Sequence, residues 1–283
     1  MLRISRLSFP GLGIGEFSVN SVAFTIFGIS IAWYALIITC GMISAVVYTI
    51  WRAKKIGVIL DDVLDYVIYT IPIGILGARL YYVFAEIEHY HSLSDVLNIR
   101  EGGLAIYGGI IAGAITVFAV SYFKKINFYA FADCCTPGII LAQAIGRWGN
   151  FMNAEAYGSE TEIFCRMGIL SNYGAIYVHP TFLYESLWNL IGFALINVFY
   201  KHKKYDGQIM LMVFGWYGLG RALIEILRSD SLYTTLFGWS FKTSHVLAGL
   251  IFITCLSLLV YFEFKKPNKP LYVKPAKEAK AKK

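Results

Sequence analysis

A chain of 283 residues with 57% apolar side chains, only 15% charged ones and a positive mean hydropathy has too little polar surface to cover a soluble globule of its size. Its net charge of +7 comes from basic residues gathered at the ends of apolar runs, not spread along a face with interleaved aromatics, which excludes a nucleic-acid groove. The five cysteines, Cys40, Cys134, Cys135, Cys165 and Cys255, have no metal-ligand spacing and there is no P-loop, so neither metal nor cofactor is expected.

The predicted architecture is an all-α integral membrane protein of about seven transmembrane helices, because the apolar runs reach the roughly 20 residues that cross a bilayer core. Residues 1–20 mix Arg3 and Arg6 with Pro10, Gly11, Gly13 and Gly15 and lack a cleavage site after a short apolar core, so they read as an N-terminal segment outside the membrane and not as a signal peptide. A membrane domain follows over 21–263, with spans expected near 22–48, 64–84, 103–123, 128–145, 181–200, 208–227 and 244–262. Its longest loop covers about 147–180, and the Lys-rich tail 264–283 is expected to be disordered.

Seven spans put the termini on opposite sides, which allows a test by the positive-inside rule. Arg52, Lys54, Lys55, Lys124, Lys125, Lys201, Lys203, Lys204 and eight tail lysines fall on one side, sixteen of the 25 basic residues. The amino terminus is therefore expected outside and the tail in the cytoplasm, its lysines either against anionic inner headgroups or solvated as a topology signal. Eight of the nine remaining basic residues are arginines, and those on the outer side need an explanation other than topology. No repeat of the kind found in transporters is visible.

That explanation lies in two stretches. Gly-Arg-Trp-Gly-Asn-Phe-Met-Asn-Ala-Glu, residues 146–155, places Arg147, Asn150, Asn153 and Glu155 directly after an apolar segment, where polar groups must pair with one another or with a ligand. Arg221, Glu225 and Arg228 share one helical face by their i, i+4, i+7 spacing. Either Arg221 and Glu225 merely neutralise each other, or the surplus positive charge binds a phosphate, for which the arginine fork is suited. The stretch 146–155 has a bland alternative too, capping its helix and tying down the outer loop.

Three further stretches bear on function. Residues 101–109 open the third span with Gly102, Gly103, Gly108 and Gly109 around Tyr107; Gly109 and Gly113 make a GxxxG pair, usually a packing device. Residues 179–185 bring His179 and Glu185 to the start of the fifth span, and Tyr34 and Arg79 sit within apolar segments. Asp133, fourteen residues before Arg147, is about 20 Å away along an unbroken helix and reads as a separate structural anchor.

Together these residues resemble the prolipoprotein diacylglyceryl transferase family, whose signature Gly-Arg-x-Gly-Asn-Phe-x-Asn-x-Glu is matched over 146–155, with Gly158 following. The similarity extends to Trp33 and Tyr34, to Gly77, Ala78 and Arg79, to 101–109, Asp133, 179–185, and Arg221, Glu225 and Arg228. The resemblance implies transfer of a diacylglyceryl group from phosphatidylglycerol to the thiol of the lipobox cysteine in a prolipoprotein signal peptide. Glycerol phosphate is released, in the first step of lipoprotein maturation at a bacterial plasma membrane. Carried over, it makes Arg147, Arg221, Glu155 and Tyr107 catalytic, and Arg147, Asn150, Asn153, Gly158, Tyr34, Gly102, Gly103, Glu225 and Arg228 substrate-binding. Many members have histidine where this chain has Tyr107, and tyrosine, with a reference pKa near 10, is a poor base at neutral pH. Tyr107, Glu155 and His179 all stand as candidates to move the proton of the thiol. The rival reading of the same arginines is a polytopic lipid or anion transporter.

Overall fold

The computed structural model describes residues 4–90, 92–98, 102–171, 174–229, 233–236, 239–265 and 270–275. Arg3, Arg100, Glu101 and the tail lysines other than Lys265 and Lys274 lie outside them. The chain is mostly helical: α1 (Trp33–Ala53), α2 (Leu60–Ala85), a short α3 (Leu93–Leu97), α4 (Ile106–Phe123), α5 (Phe128–Met152), α6 (Thr181–Phe199), α7 (Gln208–Glu225) and α8 (Thr243–Lys265). Six helical stretches are long and apolar enough to cross a membrane, over Trp33–Ile56, Leu60–Ala85, Ile106–Phe123, Phe128–Met152, Thr181–His202 and Thr243–Lys265. The multi-pass expectation holds at that level. The 18-residue α7, interrupted by Arg221 and Glu225, is not among the six.

The expectation of a helical membrane protein holds, and among the described residues eight short strands accompany the helices. A four-stranded antiparallel sheet has the order β2-β1-β5-β6, from β1 (Ile4–Phe9), β2 (Ile14–Asn20), β5 (Met167–Ser171) and β6 (Gly174–Val178). Two separate hairpins pair β3 (Val22–Ile26) with β4 (Ile29–Ala32) and β7 (Tyr233–Leu236) with β8 (Trp239–Lys242). The first span consequently starts at Trp33, eleven residues later than expected at 22. The cause is local: Phe27 and Gly28, at φ 48° and 79°, make a two-residue turn between runs rich in β-branched residues, which favours a hairpin over helix.

The protein divides into two compact units, one formed by residues 1–47 with 135–270 and the other by 48–134 with 271–283. In the first, the four-stranded sheet buries Leu7, Phe9, Val19, Met167 and Val178 against Ala154 and Phe182, so the sheet is seated on the chain just past α5 and on the first turn of α6. Helices α6 and α7 are locked by a reciprocal pair: Trp188 Nε1 donates to the Trp216 carbonyl at 3.0 Å and Trp216 Nε1 to the Trp188 carbonyl at 2.9 Å. The two indoles stack 4.5 Å apart, and Gly192 and Gly220 leave the space that each ring occupies. This lock fixes the axial register of α6 against α7, one turn from Glu185 and Arg221.

In the second unit, α2 and α4 approach closely through Gly77 and Gly108, where an added Cβ on either would run into the backbone of the other. Buried Tyr66 on α2 bonds Ser121 on α4 at 2.8 Å. Arg79, only 5% exposed, spends its guanidinium on five backbone carbonyls, those of Asp95, Val96, Asn98, Gly102 and Gly103, at 2.6–3.0 Å. Gly102 and Gly103, at φ 92° and 74°, occupy left-handed conformations that bring both carbonyls to this one side chain.

The tail is not wholly unstructured. Around residues 272–274 it lies along the second unit: the Tyr272 hydroxyl donates to the Lys125 carbonyl at 3.2 Å and the Lys274 amide to the Ile56 carbonyl at 2.8 Å. The buried Lys274 ammonium reaches Asp62 at 2.5 Å, and Lys124 shares that carboxylate while also pairing with Asp65. Burial alone would lower the Lys124 pKa, but Asp65 and Asp62 outweigh it and hold it above the usual lysine value.

Candidate active site

The signature stretch belongs to α5, which runs through Arg147 and Asn150 to Met152 and past the expected end at 145. Gly146 and Gly149 keep this last turn slim against α1: a Cβ at Gly149 would come 2.8 Å from the Tyr34 ring, and one at Gly146 3.1 Å from Ile38. The helix then closes in a tight turn in which the Glu155 amide donates to the Asn150 carbonyl at 3.1 Å and Ala154 and Ala156 take left-handed φ of 49° and 55°. That turn points Asn150 and Asn153 at one acceptor. Both side-chain amides donate to Glu155 Oε1, at 3.0 and 3.2 Å, and Arg147 donates to Asn150 Oδ1 at 3.3 Å.

Arg147 is ion-paired with Glu185 on the second turn of α6. The same carboxylate receives Arg221 at 3.3 Å and Arg228, just beyond α7, at 3.2 Å. Arg221 also reaches back to Glu225 at 2.6 Å, an ion pair without an aligned hydrogen bond to Glu225 Oε2. Three guanidiniums therefore converge on two buried carboxylates. The carboxylate side chains are 7% and 1% exposed, whereas Arg147 and Arg221 keep 24% and 16%, so the accessible part of the cluster is its cationic part. An anion with several oxygens can accept from these forks without displacing the buried carboxylates.

Gly158 connects the cluster to the loop. It forms an antiparallel bridge with Arg228, its amide donates to the His179 carbonyl at 2.9 Å, and the Ser159 amide donates to the Leu227 carbonyl at 2.7 Å. A Cβ on Gly158 would sit 2.7 Å from both His179 Cβ and the Leu227 carbonyl. Gly158→Ala is therefore expected to destabilise the loop by about 1–3 kcal/mol, the range for overpacking, and to depress activity. Unchanged thermal unfolding and turnover would remove that steric role. Lys242 closes the far end of α7 by donating to the Glu225 and Arg228 carbonyls at 2.9 and 3.0 Å.

Of the residues expected from sequence, Arg147, Asn150, Asn153, Glu155, Gly158, Arg221, Glu225 and Arg228 are brought into one connected network, and Tyr34 packs over Gly149 beside it. Tyr107, Gly102 and Gly103 belong to the other unit, with Tyr107 half-exposed in the first turn of α4. Glu185, the hub of the network, was noted in sequence only as a nearby carboxylate. It is the sole acidic residue of α6. Weighing three arginines against Glu225 alone signals that another buried carboxylate is required.

The sequence profile described as prolipoprotein diacylglyceryl transferase matches residues 21–261, which takes in every member of this network. The chain belongs to the prolipoprotein diacylglyceryl transferase family. Among relatives of that family, a protein of Clostridioides difficile named phosphatidylglycerol–prolipoprotein diacylglyceryl transferase is 45% identical over 215 residues, 76% of this chain and 85% of its own length. One of the same name from Listeria welshimeri is 38% identical over 272 residues, 93% of this chain and 96% of its own length. A third, from Streptococcus pneumoniae, is 40% identical over 262 residues, covering 90% and 98%. The matched stretch 21–261 takes in α1 to α7 and most of α8, while β1 and β2 precede it.

Proposed function

We infer that this chain transfers the diacylglyceryl group of phosphatidylglycerol to the thiol of the lipobox cysteine in a prolipoprotein signal peptide, forming a thioether and releasing glycerol phosphate. The names carried by its relatives support the reaction. The observation that carries it to particular residues is the convergence of Arg147, Arg221 and Arg228 on Glu185, with the arginines more exposed than the carboxylate they share. The leaving group is a phosphate that gains negative charge as its bond to carbon breaks. Arg147 and Arg221 orient the phosphodiester and stabilise that charge, Glu225 and Arg228 fix their forks, and Asn150, Asn153 and Glu155 hold Arg147 from the other side. Gly158 keeps the loop close, and Tyr34 forms a wall above the last turn of α5. The protein supplies no nucleophile, since the thiol belongs to the peptide.

The chain works in a bacterial plasma membrane, with α7 as a seventh span, the amino terminus and the arginine network outside, and the tail in the cytoplasm. The distribution of lysines supports this orientation. The test is the purified protein with phosphatidylglycerol and a lipobox peptide: both thioether-linked peptide and free glycerol phosphate are expected, and the absence of both would sink the reading. Tyr107 is proposed to relay a proton, with Gly102 and Gly103 shaping its loop beside the lipid. Tyr107→Phe is expected to slow transfer and to alter its pH profile; superimposable profiles would leave the loop with a role in shape alone.

A further inference from the structure

The thiol must lose its proton before or as it attacks, and a thiol with a reference pKa near 8.5 is mostly protonated at neutral pH. A phenol such as Tyr107 can pass a proton on but, already protonated at that pH, is a poor acceptor. Glu155 already uses Oε1 on two amides. One group in the unit of the arginines has the form of an acceptor. His179 Nδ1 lies 3.3 Å from the Tyr184 hydroxyl, and that hydroxyl lies 3.5 Å from Cys165 Sγ. The three make a line of Nδ1, oxygen and sulfur with two bonds to be filled.

We propose that His179 is the proton acceptor for the incoming thiol, with Tyr184 and Cys165 setting its tautomer. In the arrangement assigned, Nδ1–H donates to the Tyr184 oxygen and the Tyr184 O–H donates to Cys165 Sγ, which leaves the Nε2 lone pair bare. Among the described residues Nε2 has no hydrogen-bond partner, and the ring is half-buried rather than sealed. Its position suits the reaction this inference rests on. The His179 carbonyl is bonded to Gly158, which bridges to Arg228, while Tyr184 adjoins Glu185, the hub of the three arginines. Burial pushes the His179 imidazole below its usual pKa, so it is neutral and free to accept at neutral pH.

The step balances without any further reagent. The S–H proton passes to His179 Nε2, sulfur forms a bond to the glyceryl carbon, and the carbon–oxygen bond to phosphate breaks. Its electron pair leaves on the glycerol phosphate, held by the arginines. The imidazolium then returns the proton to that phosphate or to water, and the neutral ring is restored.

The experiment compares a lipobox peptide carrying cysteine with one carrying selenocysteine, whose selenol ionises without help at neutral pH. His179→Gln is expected to slow transfer to the cysteine peptide by roughly 100-fold or more, the usual scale of general-base catalysis. Transfer to the selenocysteine peptide should stay within a few-fold of the wild-type rate, which also shows that the variant folds. Tyr184→Phe is expected to fall between, at about 10-fold, as for removal of a group that orients an imidazole. Equal losses with both peptides, or no loss with cysteine, would overturn the proposal. A wild-type protein inactive on both peptides would overturn the transferase reading itself, and the proposal with it.

Discussion

Arg147→Ala is expected to abolish measurable transfer while the protein is still made and inserted. Removing one donor aimed at charge that develops in a transition state costs about 2.7–4 kcal/mol, or 100- to 1000-fold, and Arg147 offers a fork of donors. Its side chain is the most exposed of the three guanidiniums, so its loss should disturb folding least: Glu185 still holds Arg221 and Arg228. Arg221→Ala should be as inactive but less stable, because Glu225, 1% exposed, would lose its ion pair. Arg221→Lys separates the two effects, since it keeps the charge but cannot bridge Glu185 and Glu225 as a fork. Transfer is read as thioether-linked peptide per unit of purified protein, and stability as thermal unfolding in detergent. Near-normal turnover in either alanine variant would remove that arginine from the mechanism.

The second large effect is on stability. Glu185→Ala leaves Arg147, Arg221 and Arg228 without the carboxylate they share, and removal of one partner from a buried ionic cluster costs about 3–5 kcal/mol. A marginally stable protein should then unfold well below the wild-type temperature or fail to accumulate. Glu185→Gln retains an acceptor oxygen and should fold better than the alanine variant while still losing activity, because the arginines are no longer drawn to one point. Should Glu185→Ala unfold at the wild-type temperature, the carboxylate would not be the hub that the geometry describes.

The membrane helices were readable because hydropathy over some 20 residues is a long-range signal that small local choices do not erase. The β-strands were not, for a reason visible at Val22–Ala32: an apolar run is compatible with helix or strand, and the turn at Phe27 and Gly28 that decides it occupies two residues. Distant pairing hid the main sheet as well, since β1 and β5 lie some 160 residues apart and each is too short to announce a partner. At the site, the types of residue were legible from their cost in a membrane, which is why Arg147, Arg221 and Glu225 stood out. Their counter-ion was not, because Glu185 stands alone among apolar neighbours and only the register of α6 against α7 makes it common to three arginines. Gly102 and Gly103, read from the family resemblance as contacts to substrate, also have a purely local reason to be glycine in their bonds to Arg79.

The clasp between Asp62 and Lys274 carries a consequence for how the protein is made. Asp62 leaves the ribosome early and meets Lys124 once α4 has followed it, but Lys274 is synthesised only after α8. The unit built on residues 48–134 thus waits, with a carboxylate only partly neutralised, for nearly the whole of the other unit to be translated. A nascent polypeptide stalled between residues 265 and 274 would carry α1 to α8 and still lack the lysine that closes this clasp.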